Sequence, residues 1–481
     1  MPFKIKPFIF YFNLLLTLIT SGSVVVWLLF KEINPLISTI FLFIFVQYTG
    51  IYLCNKIKNK SEDNRLQYLT TLWNFKLFIT IFILFAGWIP CLDPSSCPSW
   101  GYDPQRYYWD ALDLIKNNWN PSIGANYQGI IFYYAFIFKS FGHNPVIPAI
   151  INCFTTLLGI LYLISFLYKI KRKNETNAWV VVFLLLIPEV IWYDVMTNRD
   201  NLMATLLIIT NISIGKYILD RKESILSTIL ISGLCLFSIL AVRTTMILPV
   251  LLNVFLMSIL LKTKEKFSLF KKSVFILIGI TALLAGPIIQ KISGGYDIDY
   301  LGSLNRSQSF ESSVAGQSQW SNNSIGLLLA PNNSFQAILY MIPRMVIYLA
   351  APLPKVSFPL NDLISGDWWS WQYIMIYPTS ILMLCISPLL LAGTYNVFKN
   401  RKNNPSPLVL FSTFWIIFIS VAGGNIIIHE RYRLMFTILL FACAWYGYIH
   451  CTKNEILKFS VPWVIFLTSG VVFYLAYKMV A

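Results

Sequence analysis

Long apolar runs separated by short polar connectors make up this chain from end to end. A run of 18 or more apolar residues crosses ~30 Å of hydrocarbon as a helix, which satisfies its own backbone polar groups. Apolar runs recur at roughly 8–30, 34–54, 71–90, 146–168, 178–194, 200–219, 225–242, 244–261, 273–290, 373–397, 407–424, 433–450 and 458–477. Barrel strands would instead show short segments of alternating polarity, a pattern this sequence lacks. The expected fold is an all-α, polytopic transmembrane bundle of about 13 spans, one membrane domain covering residues 1–481. The first run, Phe8 to Phe30, has no small-residue cleavage site and is long enough to remain a span.

Two connectors are long, 91–145 and 291–372. Within the first, residues 104–117 read PQRYYWDALDLIKN and have helical character. Asp103 before Pro104 suits an N-cap, and Pro104 suits a first helical turn. Tyr107, Tyr108 and Ala111 give this helix an apolar face, with Asp110, Asp113 and Lys116 as its polar residues. It is expected to lie in the membrane interface, with Tyr107, Tyr108 and Trp109 at headgroup depth. The second connector is rich in Ser, Asn, Gln and Gly and reads as loop. Gln336 to Pro354 is long enough to span, but a span there would move every later basic connector to the other side. It is therefore read as interfacial or re-entrant, with Pro343 and Arg344 in its middle.

Composition supports the membrane reading. The 481 residues are 57% hydrophobic and 12% charged, with mean hydropathy +0.64, against about 25% charged in soluble domains. The net charge of +16 raises nucleic acid as a partner. However, Lys and Arg collect in short connectors at 56–65, 169–173, 221–222, 262–272 and 399–402. That is the pattern that orients spans, basic side inward, so no nucleic-acid partner is expected. The N-terminus is then cytoplasmic. The opposite side receives both long connectors, the Asn198–Asp200 turn, the Arg243 turn and His429–Arg433. Of eight cysteines, Cys91 and Cys97 lie in the first long connector, where an oxidising compartment would favour a disulfide. Three widely separated histidines do not support a His-rich metal centre.

Several polar residues carry two readings. Asp103 caps a helix, or serves as a carboxylate base at the membrane surface. Arg199 and Arg243 anchor to headgroups, or bind phosphate, and Arg344 is a further candidate of the same kind. The cluster His429, Glu430, Arg431, Arg433 is a salt-bridged span terminus, or a phosphate site, since the guanidinium fork donates two hydrogen bonds. Asp110 is a solvated helix charge or a second catalytic carboxylate. Tyr107, Tyr108 and Trp109 anchor the interface or line a sugar site.

Taken in order, these motifs resemble the GT-C glycosyltransferases. Asp103, Tyr107 and Ala111 form an outer-loop Asp–x–x–x–Tyr–x–x–x–Ala pattern, followed by Tyr133, Phe136, Phe141 and Gly142. Arg199–Asp200 at the head of a span, Arg243 between spans, IPRMVIYLAAPLP and a GGN…ERYR stretch come next. The resemblance runs from about Gly101 to Gly447 and departs from the family where Pro104 replaces an expected Glu and where the loop follows the third span. It implies transfer of a sugar or oligosaccharide from a polyprenyl-(pyro)phosphate carrier to a glycan or lipid acceptor, on the outer face of a bacterial inner membrane. Asp103 would be the base and the arginines the phosphate ligands. No cofactor is certain, and a divalent metal is compatible. The layout also resembles O-antigen polymerases, and a transporter or lipid-linked glycan flippase stands as a third reading.

Overall fold

The computed structural model describes residues 5–30, 35–60, 68–88, 102–120, 128–170, 184–219, 224–261, 334–350, 368–424 and 430–480. These residues are helical and contain no strand. The helices are α1 (Ile5–Phe30), α2 (Leu36–Lys60), α3 (Leu69–Trp88), α4 (Tyr102–Lys116), α5 (Gln128–Phe141), α6 (Val146–Ile170), α7 (Pro188–Asp194), α8 (Asp200–Leu219) and α9 (Ile225–Arg243). A 3-10 turn at Thr244–Met246 leads to α10 (Ile247–Leu260). Then come α11 (Ser334–Leu339), α12 (Met341–Ala350), α13 (Trp368–Asn400), α14 (Ser406–Gly424), α15 (Glu430–His450) and α16 (Lys453–Val480).

Among the described residues, eight helices are long and apolar enough to cross a membrane, where about 13 spans are expected. The expected span at 273–290 lies outside the described residues. Two others are corrected. Residues 244–261 form the short turn plus α10 rather than one long helix. Between 184 and 194 the helix breaks before Pro188, and Ile187 has extended backbone (ψ 115°). Proline disfavours helical backbone in the residue before it and fits the first turn that follows.

α8 lies at the centre of the bundle. It packs against α6, α9, α10, α14 and α15 and is buried along almost its whole length. Close crossings use glycine. A Cβ on Gly447 of α15 would meet the backbone of Leu389 and Gly393 in α13, so the two backbones touch as membrane helices with small residues do. Polar side chains tie α1, α2 and α3 together: Ser21 donates to Gln47 (2.6 Å), Gln47 to Asn74 (3.0 Å) and Asn74 to Thr17 (2.9 Å). The start of α16 follows a Thr-x-x-Glu capping box, with Thr452 N donating to Glu455 (2.9 Å) and Glu455 N to Thr452 Oγ1 (3.3 Å).

α4 and α5 form a hairpin that closes one end of the bundle. Phe141 O accepts from Ser38 at the start of α2 (2.5 Å). Gly129, at the other end of α5, lies against Ala241 at the end of α9. α4 begins at Tyr102, so Asp103 stands inside its first turn with Pro104 and not before the helix. Proline costs no hydrogen bond there, so the helix starts earlier than the cap reading expects. Tyr107 and Tyr108 are buried. The Tyr108 ring meets Phe138 edge-on at 5.1 Å, and its hydroxyl donates to His143 O. Both tyrosines pack inward on the hairpin and are not turned outward as interface anchors; Trp109 is half-buried.

Of the segment at 336–354, the described part, up to Ala350, lies in α11 and α12 with a turn at Tyr340. Pro343 has no N–H to give Leu339, which explains the break. α12 packs on α14.

Candidate functional site: a chain of buried charges

Twelve residues, Glu189 to Asp200, carry three buried carboxylates through the middle of the bundle. Each is met by a cation from another helix.

Glu189 opens α7. Its two carboxylate oxygens accept from Arg433 Nε of α15 at 2.8 and 3.0 Å, and neither side chain is exposed. Arg433 also donates to Tyr348 O of α12 (3.3 Å) and Ile376 O of α13 (3.4 Å). One guanidinium thus joins four helices. Arg344, one turn before Tyr348, is also fully buried and donates to Ala422 O at the end of α14 (2.7 Å).

Asp194 closes α7. It accepts from Lys76 Nζ of α3 at 2.6 Å, from Thr156 of α6 at 2.6 Å and from Asn201 of α8. Lys76 and Asp194 are both 0% exposed. Lone charges are costly at such sites, and a paired, hydrogen-bonded arrangement offsets that cost.

The connection from α7 to α8, Val195 to Arg199, is buried. Asn152 of α6 donates to Met196 O (2.5 Å), and Tyr134 of α5 both donates to Asn198 O (2.6 Å) and accepts from Asn198 N (2.8 Å). Asn198 Oδ1 accepts from Asp200 N (2.8 Å) and so caps α8. Arg199 is 4% exposed, so it is enclosed by the bundle instead of reaching outward as a headgroup anchor.

Asp200 then gathers arginines. Arg243 at the end of α9 approaches Oδ1 at 3.3 Å, and Arg431 at the start of α15 approaches Oδ2 at 3.1 Å. Their guanidinium carbons stand 4.8 and 5.2 Å from the Tyr432 ring centre. Arg199 and Arg431 both act electrostatically on Arg243. Three guanidinium groups therefore converge at the start of α8, and Ala241, two residues before Arg243, lies against Gly129 of the α4–α5 hairpin. Arg243 and Arg431 keep 10% and 14% side-chain exposure.

The structure brings Arg199, Arg243 and Arg431 together and places Arg433, two residues after Arg431, on Glu189. It does not bring Asp103 to them. Tyr108, five residues after Asp103, packs at the Phe138–His143 end of α5, while Ala241 meets Gly129 at the opposite end, ~18 Å away along α5. Asp110 pairs with Arg106 at 3.4 Å on a part-exposed helix face. His429, Cys91 and Cys97 lie outside the described residues, as do the side chains of Asp103 and Glu430. Among the described residues no group of three or more His, Cys, Asp or Glu is placed to hold a metal ion.

Lys76, Glu189 and Asp194 are absent from the sequence-derived candidates. Their signal was present: each is an ionisable residue within an apolar run, where a partner must be found. No family model matches this chain, and neither a curated protein nor a solved structure matches it.

Proposed function

We propose that this chain is a membrane glycosyltransferase that uses a polyprenyl-(pyro)phosphate-linked sugar or oligosaccharide, acting on a glycan or lipid acceptor in surface polysaccharide synthesis. The observation that supports it is the convergence of Arg199, Arg243 and Arg431 about Asp200, with two of them partly exposed. Arginine forks suit a phosphate leaving group, and donors aimed at developing charge stabilise the transition state. A carboxylate would accept the acceptor hydroxyl's proton, a contribution of ~10²–10⁴ in rate; the resemblance assigns this role to Asp103, which stands away from the arginines toward the other end of the α4–α5 hairpin. In this reading the protein sits in a bacterial inner membrane with the arginines facing outward. A repeat-unit polymerase uses the same groups on a longer glycan.

A second reading, a transporter or flippase, draws on one observation. Broken α7 with its buried pairs Lys76–Asp194 and Arg433–Glu189 resembles the interrupted helices and internal charges of transporters.

Replacing Arg431 with Ala, and separately Asp103 with Asn, tests the proposal through the surface glycan. Loss of one sugar with the ladder intact favours monosaccharide transfer, and single repeat units without a ladder favour the polymerase. A normal glycan from both well-expressed variants refutes the proposal. Lipid-linked precursor trapped on the inner side, with transfer intact in opened vesicles, favours the flippase.

A further inference from the structure

The face of α9 that ends on Arg243 also lines a groove. Ile229, Gly233, Leu236, Leu240 and Arg243 recur at spacings of four and three and form one stripe. Across from it stand Val250, Leu251 and Val254 of α10, with Ile214 of α8 at the floor. α9 and α10 are joined by a tight turn yet touch little along their length, because α8 packs between them. The resulting groove is shallow, with about 50 Å³ of accessible space, is open on one side, and has an almost wholly apolar lining. Its rims are exposed apolar side chains: Leu230, Leu234 and Phe237 on α9, Leu252 and Phe255 on α10. Gly233 gives it depth, since a Cβ there would meet nothing within 4 Å. Glycine inside a helix costs ~1 kcal/mol against alanine.

We infer that this groove seats the hydrocarbon chain of an anionic lipid whose phosphate is held by Arg243 and Arg431, so that head and tail sites form one amphiphile site along α9. The groove's nearest residue, Leu236, is seven residues from Arg243, ~10 Å along the helix, a distance an extended chain of a few carbons covers. Charge complementarity selects the occupant: an apolar trough leading to partly exposed guanidinium groups fits a phosphate ester with a long tail. The inference rests on the proposed function for the identity of the head group only.

The test uses the purified full chain in detergent micelles and measures binding of inorganic pyrophosphate and of polyprenyl phosphates of increasing chain length. Wild type is expected to bind tighter as the chain lengthens. Gly233→Phe fills the groove from a position with free space, so the fold is retained. It should weaken the longest chain about tenfold, equivalent to withdrawing roughly two methylene groups, and should leave pyrophosphate binding unchanged. Gly22→Phe, also at an open position, should behave as wild type. Unchanged chain-length dependence in Gly233→Phe overturns the inference, as does failure of every polyprenyl phosphate to bind. Tail-dependent binding that is lost in Gly233→Phe but indifferent to Arg243→Ala and pyrophosphate keeps the groove and rejects the arginine head site, and with it the proposed function.

Discussion

Lys76 shows how one charge in an apolar helix constrains a fold. It stands within Leu69–Trp88, where the sequence reads as an ordinary span, and its ammonium meets Asp194 118 residues away. The cost of burying either charge made a partner certain from sequence alone; which partner depends on tertiary packing that apolar periodicity does not encode. The same holds for Glu189 and Arg433. Removing one member of such a pair leaves the other uncompensated, so Lys76→Met should lower stability by ~3–5 kcal/mol. The double variant Lys76→Met, Asp194→Leu should recover most of that loss, because packed apolar residues often replace a buried pair at little cost. Thermal unfolding in detergent, run as a double-mutant cycle, measures both; a loss in the double variant equal to the sum of the two single losses would show that the two charges are not coupled. Asp200 was legible as part of an Arg–Asp head to a span, but its role as the meeting point of Arg243 and Arg431 was not, since those three residues lie on different helices.

Elements were more legible than their junctions. Long apolar helices such as α6, α8 and α9 fall close to the expected spans, because length and apolarity alone specify them. α4 was readable from PQRYYWDALDLIKN, but its inward packing was not: the pattern identified a broadly apolar helix and could not say that α5 would cover Tyr107 and Tyr108. The broken α7 is signalled by Pro188, which lies within the run at 178–194 that apolarity alone reads as one span. Where α13 and α15 cross, Gly447→Leu would drive a side chain into the Leu389 backbone. It is expected to separate the helices and cost several kcal/mol, the upper range for overpacking; a Tm equal to wild type would contradict the close crossing. At α16, hydrogen bonding by Thr452 N–H, then its hydroxyl, and the charge of Lys399 hold the Glu455 carboxyl below its usual value. A lowered folded pKa means that this cap's contribution is present above about pH 4.5 and is lost as the pH falls through the folded value. The protection of the amides at residues 453–456, taken relative to their intrinsic exchange rate at each pH, should therefore fall on acidification, and Thr452→Ala should lower it at neutral pH and flatten the dependence.

At the scale of the whole molecule, the class was fully legible: hydropathy, low charge and repeated apolar runs specify a helical membrane protein, and eight helices suited to spanning are present among the described residues. The starts of α2, α6 and α8 meet α5 or its neighbours, and the end of α9 and the start of α15 meet the start of α8. Sidedness predicts that cysteines introduced at 305–320 and at 400–404 are labelled from opposite faces; labelling from the same face contradicts the re-entrant reading of 336–354. Proximity was the illegible part, since contacts between Asp200, Arg243 and Arg431 depend on how α8, α9 and α15 pack. The central claim is that these arginines serve lipid-linked sugar transfer. It is tested most directly by release of free polyprenyl (pyro)phosphate from lipid-linked sugars in proteoliposomes. Wild type should release it, and the Arg243→Ala, Arg431→Ala double variant should release it at least ~100-fold more slowly, the usual loss when a donor to developing charge is removed. Equal release by the two proteins, or none by wild type in the presence of acceptor glycan, would contradict the account.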